Sequence, residues 1–303
     1  MSPNETAITA ASSVVDLSEP LGKATFVYFV PNRSNVMAVA LQGRESAKII
    51  TYDVSGAQNG QFAVPDFADS PIIRDVVSDS EGNVGLLKIG RKGIRVEVLD
   101  QSGRVLHEYP LKQEVQKILL TLRQVFALTD AGIIRVDDGA VFRALPKDKY
   151  DLLSTNSAKL VAISETLPLM YTFDLATNAQ NTYVLKAPEI DQSIEWSKEK
   201  APNGPRFIVF SAARDANGTF YGAISPYTAN LRILKFDEYG HVTGRMIVRL
   251  PQAPGDEAGS HMDTSGGIAC LGDRLLVSSR LKRKLAFYPG VLAPEGGTDT
   301  FVP

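Results

Sequence analysis

Apolar and polar positions alternate along this chain in short runs separated by turn residues. The clearest instance is Ile72–Leu111, IIRDVVSDSEGNVGLLKIGRKGIRVEVLDQSGRVLHEYPL. Ile73–Val77 and Val84–Ile89 are apolar runs of strand length, parted by Asp79-Ser80-Glu81-Gly82-Asn83. Gly90-Arg91-Lys92-Gly93 leads into Ile94–Leu99, where Ile, Val and Val share one face with a period of two. Asp100-Gln101-Ser102-Gly103 then leads into Val105–Tyr109. The pattern predicts four antiparallel strands. Such a sheet cannot bury both faces alone, so it requires neighbours of the same kind.

The pattern recurs in Phe207–Leu250. Asp215-Ala216-Asn217-Gly218 lies 136 residues after the first of these turns, and Asp237-Glu238-Tyr239-Gly240 lies 137 after the third. Three units of about 45 residues fit that interval, the length of a four-stranded propeller blade. The third-strand endings are IITYD at Asp53, VEVLD at Asp100, IIRVD at Asp137, MYTFD at Asp174, RILKFD at Asp237 and KLAFYPG at Gly290, which makes six blades. Each Asp opens a turn where a short carboxylate accepts backbone N–H groups. Gly82 and Gly218 supply the positive φ these turns need. The expected fold is therefore all-β, a six-bladed β-propeller of four-stranded antiparallel blades.

Closure of the ring follows from the two ends. The chain after Tyr288 is rich in Gly and Pro and makes a poor strand. Ser13–Pro20 resembles Met246–Pro251, the outer strand of the fifth blade, so the N-terminal strand is expected to complete the sixth blade. Residues 1–12 are expected as a disordered tail, 13–290 as one propeller domain and 291–303 as a C-terminal tail. No long helix is expected. Gln113–Arg123 has some helical spacing, but its place before Gln124–Leu128 makes it the first strand of the third blade. Pro188–Pro205 reads as an inserted loop.

Composition adds exclusions. The 303 residues are 44% hydrophobic and 22% charged, with a net charge of -2, which gives no global pull towards nucleic acid or anionic membrane. No apolar run approaches the roughly 20 residues of a membrane span. Cys270 is the only cysteine, so no intrachain disulfide forms. A reducing compartment and export with a trimmed leader are both compatible with this. The N-terminus as written lacks the basic-then-apolar pattern of a signal peptide. Gly259-Ser260-His261-Met262 matches a tag-cleavage scar and is taken as coincidence.

The D-x-x-G-N turn before an apolar strand, followed by R-I-x-x-F-D-x-x-G, resembles the NHL and gluconolactonase-like group of six-bladed propellers. The resemblance covers blades two and five well and blade one in part; blades three, four and six match by strand pattern only. It implies a ligand face that carries the connections from each outer strand to the next inner strand, and those from each second strand to the third. The Asp turns fall on the opposite face. The lactonase branch of the group holds a divalent metal with Glu, Asn and Asp from inner strands. Its early Glu-Gly-Pro motif is missing here, where the opening reads Ala24–Tyr28. The streptogramin-lyase-like branch places a catalytic His near the channel, and the sole candidate for that place is His261.

On the implied ligand face, the second-to-third loops are basic: Arg44 and Lys48, Arg91 and Lys92, then Arg280, Lys282, Arg283 and Lys284. The inter-blade loops are acidic, with Asp66, Asp69, Glu189, Asp191, Asp256, Glu257 and Asp263. A mixed ring of this kind suits a polar partner by charge complementarity; a merely solvated face is the plainer explanation. Arg280–Lys284 is too short, and too poor in aromatics, for nucleic acid. Trp196, the only tryptophan, lies in the 188–205 insertion, and His261 and Asp263 lie in the next long loop. Neighbouring long loops on a rigid ring make a binding site. The candidate ligand-binding set is Trp196, His261, Asp263, Arg280, Asp256 and Glu257, with no catalytic residue, no metal ligand and no cofactor. The function read from this is a non-catalytic propeller that binds a small polar ligand, a peptide or a protein on its loop face. The alternative is a metal-dependent lactonase- or esterase-like hydrolase, which three convergent oxygen ligands at the channel mouth would favour.

Overall fold

The computed structural model describes residues 8–32, 35–121, 124–154, 159–200, 208–224, 229–252, 262 and 264–288. Six four-stranded antiparallel blades form a ring, as the turn spacing predicts. Blade one comprises β3 (Phe26–Asn32), β4 (Asn35–Gln42), β5 (Ser46–Tyr52) and β6 (Gln58–Ala63). Blade two comprises β7 (Ile72–Ser78), β8 (Val84–Gly90), β9 (Gly93–Leu99) and β10 (Val105–Leu111). Blade three comprises β11 (Lys117–Leu120), β12 (Val125–Thr129), β13 (Gly132–Arg135) and β14 (Val141–Arg143). Blade four comprises β15 (Tyr150–Ser154), β16 (Lys159–Ser164), β17 (Leu169–Asp174) and β18 (Gln180–Val184). Blade five comprises β19 (Val209–Arg214), β20 (Phe220–Ile224), β21 (Asn230–Phe236) and β22 (Val242–Arg249). Blade six comprises β23 (Gly267–Leu271), β24 (Arg274–Ser279), β25 (Lys284–Tyr288) and, from the other end of the chain, β2 (Ser13–Asp16).

The core lies between blades. Val39 and Ile49 of blade one pack with Leu86 and Leu99 of blade two. Leu276 and Phe287 of blade six pack with Ala38 and Ile50 of blade one. The other blade boundaries hold equivalent apolar layers. Each blade therefore buries both faces only in company, which is the cooperative logic of a ring.

The seam is closed as the sequence predicts. β2 pairs antiparallel with β25, from Ser13 opposite Phe287 to Asp16 opposite Lys284. Two basic residues of the 280–284 loop serve this seam and not a ligand. The Arg283 guanidinium donates to the carbonyls of Leu21, Gly22 and Ala24 at 3.1, 3.2 and 2.5 Å. Lys284 lies 3.5 Å from Asp16. Within the stretch 1–12 that the sequence leaves as a tail, β1 (Ile8–Ala10) pairs in parallel with β22. Three residues are too few for alternation to announce a strand.

The insertion departs from expectation too. Pro188–Lys200 forms an α-helix, α1. Pro188 takes the first helical position, where its missing N–H costs nothing, and Glu189 and Asp191 favour the positive end of the helix dipole. The inward face is Ile190, Ser193, Ile194 and Ser197. Two of those four are serines, so the buried face shows no apolar periodicity to read.

A buried charge cluster holds the connection between blades one and two. Lys88 Nζ donates to both Glu97 carboxylate oxygens at 2.8 Å and to the Pro65 carbonyl at 2.6 Å. Arg95 donates to Glu97 at 2.7 Å and to Ser70 Oγ at 2.5 Å. Burial pulls the Lys88 ammonium below its ordinary range, and the Glu97 carboxylate opposes that pull.

Candidate functional site

The six-fold topology brings the inner strands together around the channel. Their polar side chains form a chain of links from blade to blade. Asp75 on β7 accepts the Ile118 N–H of β11 at 2.8 Å. Asp151 on β15 accepts the Ala212 N–H of β19 at 2.6 Å. Ser211 on β19 accepts the Ile268 N–H of β23 at 3.0 Å. In each case the donor belongs to the residue after the equivalent position of the next blade, and those positions are Asp75, Lys117, Asp151, Ser211 and Gly267. Lys117 bridges to Asp151 and, at 2.9 Å, to Glu165. Between blades one and two, the Tyr28 hydroxyl donates to the Ile73 carbonyl at 2.6 Å. Gly267 completes the series at φ +79°, and a Cβ there would stand 2.5 Å from Ser211 Oγ, so the close approach of blades five and six needs glycine.

These links set the electrostatics of the mouth. Burial raises the Asp75 carboxyl to about 6, against the lowering effects of the Ile118 N–H and of Lys117. Burial also raises Glu165, with Lys117 opposing. Burial alone would lower Lys117, but Asp151 and Glu165 outweigh it and hold the ammonium charged. Asp75, Asp151 and Glu165 are thus already engaged by an ammonium and by backbone N–H groups. This donor set does not fit a divalent ion, because Lys117 takes the place between its carboxylates that such an ion would need. Among the described residues, no group of three or more His, Cys, Asp or Glu is arranged to hold a metal.

Above these links lies a cavity of about 510 Å³, lined by Asp75, Lys117, Asp151, Phe210, Ser265 and Arg280 among others. Arg280 stacks on Tyr28, its guanidinium carbon 5.0 Å from the ring centroid, and stands 5.8 Å from that of Phe26. The two rings are 4.9 Å apart. A neighbouring basin of about 650 Å³ shares Lys117 and is lined by Arg74, Glu114, Asp130, Lys147, Lys149 and Glu165. Several of its charges are paired: Arg74 with Glu114 at 2.6 Å, and Lys147 with Asp130 at 3.4 Å.

Of the residues singled out in the sequence, Arg280 lines the channel-mouth cavity. Trp196 is 40% exposed on α1 and does not line that cavity. Its helix is tied to blade five, by Arg232 to Gln192 at 2.9 Å and by Arg245 to Glu189 at 2.7 Å. His261, Asp263, Asp256 and Glu257 lie outside the described residues, as does the C-terminal stretch 291–303. Lys92 pairs with Asp69 at 3.2 Å and Asp66 at 3.5 Å, so part of the expected ring of mixed charge is satisfied within itself. The residues that sequence reasoning missed are Tyr28, Asp75, Lys117, Asp151 and Glu165. One signal was present: a polar residue interrupts the apolar run near the start of most inner strands.

No family model matches the chain, and no curated protein does. Solved structures do match in fold. The Myceliophteria thermophila Cps50 (Swd1) β-propeller domain superposes with a TM-score of 0.54 at 12% identity, over 92% of this chain and 98% of that one. Virginiamycin B lyase from Staphylococcus aureus gives 0.51 at 10% identity, over 91% and 98%. A structure described as YCF48 bound to D1 peptide gives 0.50 at 13% identity, over 95% and 99%. At these identities the likeness is one of fold: the chain is a six-bladed propeller, and its structural counterparts include a lyase and a protein solved with a bound peptide.

Proposed function

We propose that the protein is a non-catalytic binding propeller that receives a peptide segment on its loop face, around the channel mouth. The observation that carries this reading is how the mouth's functional groups are used. The carboxylates that a hydrolase would deploy are spent on blade-to-blade links, whereas the same face leaves large apolar side chains exposed. Phe26, Ile72, Leu167, Trp196 and Leu281 all fall on connections or strand starts of that face, and Leu281 is 77% exposed. Exposed apolar groups on the face that carries an aromatic-stacked arginine suit peptide capture. The peptide-bound propeller among the solved structures is consistent with it through fold alone.

The test is selection of displayed peptides on the purified protein, with the bound face located by hydrogen exchange. Protection is expected in the connections spanning residues 17–25, 64–71 and 280–283. Leu281→Ser and Trp196→Ala are each expected to weaken binding about tenfold with the fold intact. Protection confined to the Asp turns of the opposite face overturns the reading. So does turnover of a lactone or ester panel that is abolished by Asp151→Asn.

A further inference from the structure

We propose that Arg280 receives a carboxylate in the channel-mouth cavity, supplied by an acidic side chain or by the chain end of the bound peptide. The proposal rests on the peptide-binding reading above and names the chemistry at its centre. Arg280 Nε is buried and has no hydrogen-bond partner. Among the described residues, no acceptor engages the rest of the guanidinium. The other charged groups lining the cavity differ in this respect: Lys117 is held by Asp151 and Glu165, and Asp75 by the Ile118 N–H. Arg280 is thus the lining cation whose donors remain unspent.

The site is built in advance. Tyr28, on which the guanidinium stacks, is locked through its hydroxyl to the Ile73 carbonyl. The backbone is locked as well, since the Arg280 N–H donates to Ser265 Oγ at 2.9 Å and the Leu281 N–H to the same oxygen at 3.3 Å. A stacked, planar guanidinium whose terminal nitrogens are neither buried nor, among the described residues, partnered takes a carboxylate in bidentate fashion. The charge around it selects among anions. Asp75 and Asp151 line the same cavity, so a single negative charge is matched and the second charge of a phosphate dianion meets repulsion. Val77, Ile118, Leu152 and Phe210 supply apolar wall, which favours a carboxylate carried on an apolar stem.

The experiment follows the Arg280 Nε–H resonance in isotope-labelled protein during titration. The probes are N-acetylphenylalanine for a chain end, N-acetylglutamic acid α-amide for a side chain, N-acetylphenylalaninamide as the uncharged control, and inorganic phosphate. One or both carboxylates are expected to shift the resonance, with the amide and phosphate at least tenfold weaker, and the stronger carboxylate identifies the source. Arg280→Gln is expected to lose at least tenfold in carboxylate affinity, with its thermal midpoint and amide spectrum away from the mouth preserved. If Arg280→Gln fails to fold, Arg280→Lys, which keeps the charge without the planar fork, serves in its place with the same expected loss. Equal binding of the amide, tighter binding of phosphate, no shift with either carboxylate, or full affinity in the folded variants overturns the proposal. The two readings fail separately. Selected peptides that footprint on the loop face but ignore both Arg280→Gln and amidation remove the carboxylate site alone. A carboxylate shift at Arg280 without any peptide footprint removes the peptide reading alone.

Discussion

The two faces of the ring use the same residue type in opposite ways. On the turn face, Asp53, Asp79, Asp100, Asp174, Asp215 and Asp237 each accept backbone N–H groups from two to four residues further along the chain, at 2.8–3.0 Å. On the loop face, Asp75 and Asp151 accept N–H groups from partners 43 and 61 residues away. The first use shapes a turn within one blade, and the second fastens one blade to the next. Local hydrogen-bond donors hold Asp53, Asp100, Asp174 and Asp237 below the ordinary carboxylate range, whereas burial lifts Asp75 above it.

The largest expected effect tests the ring that both faces share. Deleting residues 1–20 removes β1 and β2, and the Arg283 acceptors Leu21, Gly22 and Ala24 lose their anchorage. Such a loss of a whole strand should cost roughly 5 kcal/mol or more and lower the thermal midpoint by about 10 °C or more. An unchanged midpoint would show that the seam contributes nothing and would undo the blade-to-blade picture altogether.

Next comes the distant role itself. Asp151→Ala removes one of the two carboxylate partners of Lys117 and the acceptor for Ala212 N–H together, at about 2–3 kcal/mol after allowance for partial exposure of the pair. Asp151→Asn keeps the acceptor and loses only the charge, so about 1 kcal/mol is expected. Chemical denaturation measures both. Equal costs for the two variants would mean that Asp151 contributes through its ion pair to Lys117 of blade three, and not through its bond to the Ala212 N–H of blade five.

The local role is probed at its glycines. Gly82 and Gly218 hold φ at +86° and +96°. Valine at either should cost roughly 1–3 kcal/mol. Asparagine adopts positive φ far more readily than valine, so at Gly82 it should cost under about 1 kcal/mol. A neutral valine at both sites, read by thermal unfolding, would break the equivalence of the turns.

This contrast explains what could be read from one sequence. The turn-face motif was legible because its donors and acceptors lie within four residues, so each Asp-x-x-Gly is visible as a unit. Even its slip was local: in blade three the turn is made by Asp138, whose carboxylate accepts the Ala140 N–H, one residue after the expected Asp137. Six blades and the N-terminal closure followed from counting such units. The channel mouth was not legible, because nothing near Lys117 in the chain announces Asp151 or Glu165. Arg280 was found as a loop-face cation, but its stacking on Tyr28 depends on the seam that joins the last blade to the first. The helix α1 escaped because Ser193 and Ser197 occupy its buried face, where packing against blade five replaces apolar patterning.

The smallest expected effect compares the two faces by titration. Side-chain donation from Ser102, together with backbone N–H groups and Arg104, lowers Asp100 on the turn face to about 2. Burial raises Asp75 on the loop face to about 6, above the usual carboxylate value near 4. Between those last two values the folded protein keeps a proton on Asp75 that the unfolded chain has already released. The contribution of this group to stability is therefore fully present below about pH 4 and is lost as the pH rises through about 6. Asp75→Asn retains an oxygen for the Ile118 N–H and never ionises, so it lacks this dependence. Relative to wild type, the variant should gain roughly 1–2 kcal/mol between pH 4 and pH 7.5, a figure reduced for the solvent that reaches Asp75 through the cavity. Denaturant unfolding of both proteins at pH 4, 6 and 7.5 measures the difference. A gap that stays constant with pH would place Asp75 in the same ionised condition as the turn-face carboxylates. The loop-face link would then be as well solvated as a turn, and burial would no longer distinguish the two faces.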